Sequence, residues 1–260
     1  MPGVSGDLDL ALALADGADA VTTARFRSGT LVVESKPDLT PVTEADRSAE
    51  NAIREHVARE RPDDAVVGEE FGASGAGPRR WVIDPIDGTK NFVRGHPVWA
   101  TLIALQDGAD ITVGVVSAPA LGRRWWCSRG GGSWTRDIDG GVRRCQVSAV
   151  GELTDAFLSY SGLGGWQRAE QGFRALTQTV WRTRAYGDFW SYAMVAEGVV
   201  DIACEPEVSL WDLAPLLLLV EEAGGTFTDL SGVRRADGGS ALATNGLLHD
   251  TALAFVRPPA

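Results

Sequence analysis

Hydrophobic residues recur at helical spacing in two stretches of the first half of the chain. In residues 7–27 the apolar positions are three or four residues apart, which predicts an amphipathic helix. Thr43 and Asp46 form a capping-box pattern, and a second helix is predicted from there to Arg61. The segment KPDLTPVTEAD lies between the helices and is rich in proline and polar residues. It therefore predicts a loop.

Short apolar runs predict the strands of this half. They lie at Thr30–Glu34, Val66–Val67, Trp81–Ile83, Ala100–Leu105, Ile111–Ser117 and Arg123–Ser128. The run Trp81–Ile83 is expected to end at Pro85, because proline cannot donate a hydrogen bond to a sheet. Residues 73–80 (ASGAGPRR) predict a flexible loop, and residues 130–141 (GGGSWTRDIDGG) predict a hairpin loop.

After about residue 150, strand-like and helical patterns alternate. The predicted strands are Ala156–Tyr160, Arg182–Tyr186, Val199–Cys204, Thr226–Thr228 and Ala241–Thr244. The predicted helices span residues 166–180, 188–197, 210–223 and 247–256. We expect an antiparallel-rich half, residues 1–150, and an alternating α/β half, residues 151–260, that pack as one compact unit.

Composition narrows the class of protein. The chain has 260 residues, of which 44% are hydrophobic, and this predicts a soluble globular protein with a substantial core. The net charge of −11 disfavours binding to nucleic acids or to anionic membranes. Three cysteines without C-x-x-C spacing, an N-terminus without a basic region, and apolar runs too short to span a bilayer together predict a cytoplasmic location.

The segment WVIDPIDGTKNF, residues 81–92, contains the main candidate chemistry. Asp84 and Asp87 follow an apolar strand and flank a turn, so both carboxylates can point to the same side. The carbonyl of Ile86 is expected to be free of sheet pairing there. Such hard oxygen donors suit Mg²⁺. A helix that opens at Gly88 and Thr89 would direct backbone N–H groups to the same place, where they favour phosphate.

Two further acids occupy similar positions. Glu69 follows the short strand Val66–Val67, and Asp212 lies in the first turn of a predicted apolar helix. Each acid alone is explained by a turn, a surface loop or a helix cap. The three motifs in this order favour a metal site instead.

The motifs G-E-E, W-x-I-D-P-I-D-G-T-x-N-F and W-D-x-A followed by E-A-G-G resemble the inositol-monophosphatase-like superfamily of Mg²⁺-dependent, lithium-sensitive phosphatases. The resemblance extends from KPDLTPVTEAD to TNGLLH, nearly the whole chain. It implies a layered α-β-α-β-α sandwich, a homodimer, and phosphate-ester hydrolysis by an activated water without a covalent intermediate.

The resemblance also implies roles for individual residues. Two or three Mg²⁺ ions are expected. They would neutralise the carboxylates, which otherwise repel one another. The first ion would be held by Glu69, Asp84 and the Ile86 carbonyl, the second by Asp84, Asp87 and Asp212, and a looser third near Asp46. Glu69 and Thr89 would position the attacking water, which makes Glu69, Thr89 and Asp46 the expected catalytic residues.

The expected substrate-binding residues are Gly88, Thr89, Lys90, Arg184, Asp188 and Glu205. Asp188 and Glu205 would be free of metal, and two free acids favour a cationic leaving group such as that of histidinol phosphate. The segments AYGDFWSY, EPEVSLWDLAP and RGHPVWA also resemble actinobacterial histidinol-phosphate phosphatases more than inositol-specific members. Tyr186, Phe189 or Trp190 could face the imidazole ring.

Several alternatives remain open. Inositol phosphates and other small phosphate esters are possible substrates, because Glu205 matches the position that binds a substrate hydroxyl in inositol-specific members. Phosphatases that form an aspartyl-phosphate fit poorly, since their paired acids lie near the N-terminus. A non-catalytic metal-binding relative is a further alternative. Arg184 could meet substrate or a partner subunit, and Trp125, Trp126 and Trp166 could form an interface or the core.

Overall fold

The computed structural model describes residues 2–29, 31–35 and 41–259. Within these ranges the chain forms seven α-helices and 15 strands. The helices are α1 (Pro2–Arg25), α2 (Glu44–Glu60), α3 (Thr89–Arg94), α4 (Glu170–Thr179), α5 (Asp188–Ala196), α6 (Leu210–Glu222) and α7 (His249–Val256). The strands are β1 (Val33–Ser35), β2 (Pro41–Thr43), β3 (Ala65–Gly68), β4 (Gly72–Ser74), β5 (Arg79–Asp87), β6 (Ala100–Asp107), β7 (Asp110–Ala118), β8 (Arg123–Ser128), β9 (Gly132–Arg136), β10 (Val142–Arg144), β11 (Phe157–Ser159), β12 (Arg182–Arg184), β13 (Ile202–Glu205), β14 (Thr226–Thr228) and β15 (Ala241–Thr244).

Two large sheets separate three layers of helices. The first sheet has eight strands in the order β10-β9-β8-β7-β6-β5-β3-β4, and the second has five in the order β12-β11-β13-β15-β14. Helices α1 and α2 cover the outer face of the first sheet, α5 and α6 lie between the sheets, and α4 and α7 cover the outer face of the second. The predicted α-β-α-β-α sandwich is therefore confirmed. None of the described helices has the length and apolar content needed to cross a bilayer.

The alternation of side chains along β5 explains why the first sheet is covered on both faces. Trp81 and Ile83 pack under α1 and α2, whereas Val82 packs in the core that contains α5 and α6. Successive residues of a strand point to opposite faces, so a continuous apolar run indicates a strand buried on both sides. Trp125 and Trp166, predicted to lie in either an interface or the core, are both buried in the core.

The prediction that the strand ends at Pro85 is wrong. Strand β5 continues to Asp87, with a register shift between Asp84, opposite Leu102, and Asp87, opposite Ala100. An extra residue fits at such a β-bulge without a ladder partner, so the missing N–H of Pro85 costs nothing there. The bulge leaves Asp84 and Asp87 at the end of a rigid strand.

Three segments predicted as loops contain strands. Strand β2 and the start of α2 lie within KPDLTPVTEAD, β4 and the start of β5 occupy both ends of residues 73–80, and β9 lies within residues 130–141. These strands are three to five residues long and are stabilised by partners such as β8, which pairs with β9. Local composition does not encode that pairing. Residues 36–40 of the predicted loop and Thr30 of the predicted first strand lie outside the described residues.

Gly114 allows α6 to pack closely against β7, and this contact sets the depth of the helix that carries Asp212. A Cβ atom on Gly114 would lie 3.0 Å from both the Cys127 sulfur and the Pro215 carbonyl oxygen. We expect Gly114→Ala to lower the free energy of unfolding by about 1–3 kcal/mol, measured by urea denaturation, because the backbone of α6 must shift.

The same substitution at Gly17 provides the control. Gly17 lies in α1 and is exposed, and a Cβ atom on it would have no heavy atom within 4 Å. Gly17→Ala should raise the free energy of unfolding by about 0.5–1 kcal/mol through helix propensity. Equal stabilities of Gly114→Ala and the wild type would contradict the close packing of α6 on β7.

Candidate active site

An open cleft of about 710 Å³ lies where residues from both sheets and the central helices meet. Ten of the residues predicted from the sequence line it: Glu69, Asp84, Ile86, Asp87, Gly88, Thr89, Lys90, Asp188, Glu205 and Asp212. Asp46 lies directly behind Thr89 and is fully buried. The structure thus brings together residues that are up to 143 positions apart in the chain, as between Glu69 and Asp212.

Asp84, Asp87 and Asp212 form the centre of the cleft. Each offers a carboxylate oxygen, and the three oxygens lie within 4.8 Å of one another. Asp84 and Asp87 come from the bulge at the end of β5, whereas Asp212 comes from the first turn of α6. Three carboxylates this close can share one or more divalent cations.

One oxygen of each of these carboxylates accepts a backbone N–H group, which fixes its orientation. The donors are the N–H groups of Ile86 to Asp84 (2.9 Å), Phe189 to Asp87 (2.6 Å) and Ser209 to Asp212 (2.7 Å). The carboxyl groups of Asp84 and Asp212 also contact each other, and that of Asp84 contacts Glu69. A preorganised set of oxygen donors of this kind is what a hard cation requires.

Asp46 is held by the capping box at the start of α2. One carboxylate oxygen accepts the Thr43 N–H (2.8 Å) and hydroxyl (2.6 Å), and the other lies 3.3 Å from the Thr89 hydroxyl. The Thr89 hydroxyl also lies 3.0 Å from the Ile86 carbonyl oxygen. Thr89 therefore connects Asp46 to the carbonyl that was predicted as a metal ligand.

Glu69 lies just beyond the end of β3. Its N–H donates to the Ile83 carbonyl (3.2 Å), which continues the pairing between β3 and β5 by one residue. Its carboxyl group is hydrogen-bonded to that of Asp84. The two predicted ligands of the first metal are thus in direct contact.

Burial and mutual repulsion favour protonated forms of this cluster when cations are absent. Burial, followed by the charges of Glu69 and neighbouring aspartates, raises the pKa of Asp84 well above its usual value. Burial and the charges of Asp188 and Asp212 do the same to the pKa of Asp87. Burial is also the main cause that raises the pKa of Asp212 to about 6. Divalent cations would replace those protons, and the all-oxygen donor set fits Mg²⁺.

A second pair of acids lies beside the cluster of Asp84, Asp87 and Asp212. The Asp188 N–H donates to the Ser161 hydroxyl (3.0 Å), and that hydroxyl donates to Glu205. Burial raises the pKa of Glu205 to about 8 and that of Asp188 to about 6. The positive charge of Lys90 partly offsets the shift at Asp188. Ser161 therefore links the Glu205 carboxylate to the backbone, not the side chain, of Asp188.

The backbone of Asp188 is strained at this point. Its φ angle is +51°, a backbone conformation that residues other than glycine rarely adopt. In this conformation its carboxylate accepts from the Asn91 amide (3.0 Å), while the next N–H group, from Phe189, reaches Asp87. Strain of this kind is retained where the surrounding contacts demand it.

Arg184 is not brought into the cleft. His96, in the segment RGHPVWA, does not line it either, although its charge acts on the Asp188 carboxyl. Arg184 is exposed on β12, the edge strand of the second sheet, and its guanidinium donates to the Thr183 carbonyl (2.8 Å). His96 is exposed and accepts a hydrogen bond from the Val98 N–H (3.4 Å). Within one chain, Arg184 is therefore separate from the residues that surround the metal cluster.

Some cleft residues were missed by the sequence analysis. Ser161, Tyr192, Glu207 and Trp211 all line the cleft. Tyr192 is buried, and within the described part of the chain its hydroxyl has no hydrogen-bond partner. Its position one helical turn after Asp188 was the available signal, because residues four apart share a helix face. Ser161 follows β11 in a glycine-rich segment and has no comparable signal.

Of the three aromatic residues predicted near the substrate, Phe189 lines the cleft. Tyr186 and Trp190 pack against the core between the sheets, with their ring centroids 5.4 Å apart. Neither of them lines the cleft. Trp211, which is partly exposed, offers an aromatic surface to the cleft.

Comparison with known proteins agrees with this architecture. The model of the inositol monophosphatase family matches residues 7–256. The chain is 56% identical to a histidinol-phosphatase of Streptomyces coelicolor, over 98% of both chains. It is 59% identical to a histidinol-phosphatase of Mycobacterium tuberculosis, over 95% of this chain and 96% of that one.

Solved structures show the same fold. The extragenic suppressor protein suhB of Bartonella henselae matches with a TM-score of 0.89 at 28% identity, over 97% of this chain and 98% of that one. The IMPase of Thermotoga maritima matches with a TM-score of 0.85 at 30% identity, over 96% of both chains. The chain belongs to the inositol monophosphatase family, and it is a phosphatase that acts on small phosphate esters.

The raised pKa values predict how stability depends on pH once metal is removed. A carboxyl group whose pKa is raised by folding stabilises the folded state below its unfolded pKa, and this contribution is lost as pH rises through the folded pKa. The folded values are about 6 for Asp212 and about 8 for Glu205, against 3.8 and 4.5 for the unperturbed groups. In EDTA, we therefore expect the melting temperature to fall by several degrees between pH 5.5 and 8.5.

The matched condition is the same pH series with saturating Mg²⁺. Bound cations compensate the ionised carboxylates of Asp84, Asp87 and Asp212, so the melting temperature should fall less over that range, and the remaining fall is assigned to Glu205. Differential scanning calorimetry measures both series. Parallel curves with and without Mg²⁺ would mean that the cluster does not bind the cation.

Proposed function

We propose that this chain hydrolyses histidinol phosphate to histidinol and phosphate with Mg²⁺, as a step of histidine biosynthesis. The observation that carries the proposal is the pair Asp188 and Glu205, which lies in the same cleft as the metal cluster but is separate from it. The names of relatives that are 56% and 59% identical support the same substrate.

The charge state of this pair favours a cationic substrate. With a pKa of about 8, Glu205 is mostly protonated at neutral pH, and burial is the main cause. An approaching ammonium group would favour the ionised form, so binding of the cation and loss of the Glu205 proton would support each other. Lys90 offsets part of the charge of Asp188, which leaves Glu205 as the principal partner for the ammonium group.

The imidazole ring of histidinol phosphate would lie at the mouth of the cleft. Trp211 lines the cleft and is partly exposed, so it offers an aromatic surface there, whereas the ring of Phe189 is buried. A planar heterocycle packs well against such rings, and a protonated imidazole gains a cation–π attraction. Glu207, exposed at the same rim, adds a further negative charge.

The chain's own residues position the attacking water. We assign to Glu69 the role of accepting the proton of the water as its oxygen bonds to phosphorus. The bond from phosphorus to the leaving oxygen breaks in line, and the leaving alkoxide takes up a proton from solvent. Thr89, fixed between Asp46 and the Ile86 carbonyl, orients the same water through its hydroxyl. Two or three Mg²⁺ ions, held by Glu69, Asp84, Ile86, Asp87 and Asp212, would supply charge neutralisation and activation of the water.

The helix start at α3 is assigned to the phosphate. Gly88, Thr89 and Lys90 line the cleft next to Asp87. A left-handed φ of +83° at Gly88 turns the chain from β5 into α3, which exposes the first N–H groups of the helix. These groups and the Lys90 ammonium would bind the phosphate oxygens.

Inositol monophosphate is the alternative substrate. Glu205, which the sequence analysis matched to a hydroxyl-binding position, can accept a hydrogen bond from an inositol hydroxyl once it is ionised. Inositol-1-monophosphatases of Mesorhizobium japonicum and Rhizobium meliloti are 34% and 36% identical to this chain. The metal chemistry would be unchanged.

We further propose that the protein is a cytoplasmic homodimer. Within each chain, residues 1–150 would carry most of the metal ligands, and residues 151–260 would carry Asp212 and the residues on the substrate side. The three described cysteines are unpaired and buried, as expected in a reducing compartment. Trp181, 65% exposed, directly precedes the edge strand β12, and the exposed Arg184 is the last residue of that strand. An exposed tryptophan at an unpaired sheet edge supports a partner contact there.

Phosphate release from histidinol phosphate and from inositol 1-phosphate, at equal concentrations with Mg²⁺, tests the proposal directly. We expect kcat/KM for histidinol phosphate to exceed that for inositol 1-phosphate at least tenfold, because only the former carries a cation to pair with Glu205. A preference for the inositol ester would overturn the substrate but keep the metal site.

Asp188→Asn tests the acid pair. The variant keeps the hydrogen bond from Asn91 within reach but removes a charge, so we expect kcat/KM for histidinol phosphate to fall about 10-fold or more. The loss for p-nitrophenyl phosphate, which carries no cation, should be much smaller. Equal losses with both esters would remove Asp188 from substrate recognition.

A further inference from the structure

Glu50 is a completely buried carboxylate on α2 to which the sequence analysis gave no role. Its two oxygens accept the N–H groups of Glu70 (2.8 Å) and Phe71 (3.2 Å). These are the two residues that follow Glu69. The carboxylate therefore holds the turn that carries the proposed catalytic acid.

The backbone on the other side of Glu69 is fixed as well. The Glu69 N–H donates to Ile83 of β5, and the next two N–H groups donate to Glu50. Three successive N–H groups are thus bound by two different elements. The direction of the Glu69 side chain, towards Asp84, follows from this arrangement.

Gly68 is required for the close approach of Glu50. A Cβ atom on Gly68 would lie 2.0–2.7 Å from the carboxylate atoms of Glu50, which is far inside van der Waals contact. The glycine of the G-E-E motif thus has a steric explanation, because it leaves the space that the buried carboxylate occupies.

Arg54 keeps Glu50 in place and connects it to β4. Its guanidinium donates to Glu50 (2.8 Å), to the Ser74 hydroxyl (2.8 Å) and to the Gly72 carbonyl (2.5 Å). Such a buried ion pair is weak support for stability alone, since well-packed apolar residues commonly serve equally well. Its contacts concentrate on the turn after Glu69, which points to a role in positioning.

We infer that Glu50 is a positioning residue for catalysis, which sets Glu69 against Asp84 by holding the backbone of residues 70 and 71. Asp46, one helical turn before Glu50 on α2, contacts Thr89. One face of α2 therefore orients both Glu69 and Thr89, the two residues proposed to position the attacking water. The inference rests on the proposed role of Glu69 as metal ligand and base.

Glu50→Gln tests this role, because the amide keeps the shape but loses the charge and one acceptor. Binding of Mn²⁺, followed by the electron paramagnetic resonance signal of the free ion, gives a readout that needs no turnover. We expect Mn²⁺ affinity and kcat for p-nitrophenyl phosphate each to fall about 10- to 100-fold, as for other residues that orient metal ligands. KM should change less than kcat.

Asp229→Asn is the matched control. Asp229 is a buried acid outside the cleft, and one of its oxygens accepts the N–H groups of Ser231 and Val233, both at 2.9 Å. It also clamps a turn, so its loss should lower the melting temperature as Glu50→Gln does. Mn²⁺ affinity and kcat should remain at wild-type values in this control.

If Glu50→Gln does not fold, Arg54→Lys replaces it, since lysine keeps the charge but cannot reach Glu50, Ser74 and Gly72 together. The same losses, of smaller size, are expected. Wild-type Mn²⁺ affinity and kcat in the folded variant would overturn the inference. Glu69→Gln distinguishes the inference about Glu50 from the proposed role of Glu69. If Glu69→Gln also keeps wild-type Mn²⁺ affinity and kcat, the proposed role of Glu69 is wrong. If Glu69→Gln loses them and the Glu50 and Arg54 variants do not, only the role of Glu50 is overturned.

Discussion

The concentration of carboxylates in one largely buried place is the constraint on which the structure depends. Asp84, Asp87 and Asp212 approach within 4.8 Å, with Asp46 and Glu69 beside them. In a low-dielectric environment such acids repel and take up protons, as the raised pKa values of the three aspartates indicate. The fold must hold them together before any cation binds, and it does so with backbone N–H groups.

Those N–H groups come from the ends of secondary-structure elements. Asp46 and Asp212 occupy the same position in two capping boxes, at the starts of α2 and α6, so each caps a helix with one oxygen. Asp87 accepts from the first turn of α5, and Asp84 accepts within the β5 bulge. Since helix starts carry unpaired N–H groups and partial positive charge, they offset part of the repulsion. The same contacts fix where the two sheets and central helices meet.

The sequence predicted most of the helices, and the acids that the structure brings into one cleft, because their signals are local. That these acids bind metal stays a prediction. Apolar periodicity indicated the helices, and the strand-end acids Asp84 and Asp87 stood out in their motif. The short strands β2, β4 and β9 were missed, since pairing across the sheet stabilises them. The predicted strand end at Pro85 was wrong for a related reason. A bulge is defined by the register of β5 with β6, and composition does not reveal it. Glu50 and Ser161 make their contacts between distant segments, so no local pattern marks them. Tyr192 did carry a local signal, because it lies four residues after Asp188 on the same helix.

The two sides of the cleft differ in what their contacts demand of the side chains. Asp87 is anchored by the N–H of Phe189, a backbone group that any residue except proline supplies. The adjacent Asp188 side chain is therefore free to vary without loss of that anchor, provided that the left-handed backbone is kept. On the metal side, Gly68 has no room for a side chain, and Asp212 must both cap α6 and face the cluster. A change of side chain at position 188 of α5 would therefore leave in place the contacts that hold the aspartate cluster.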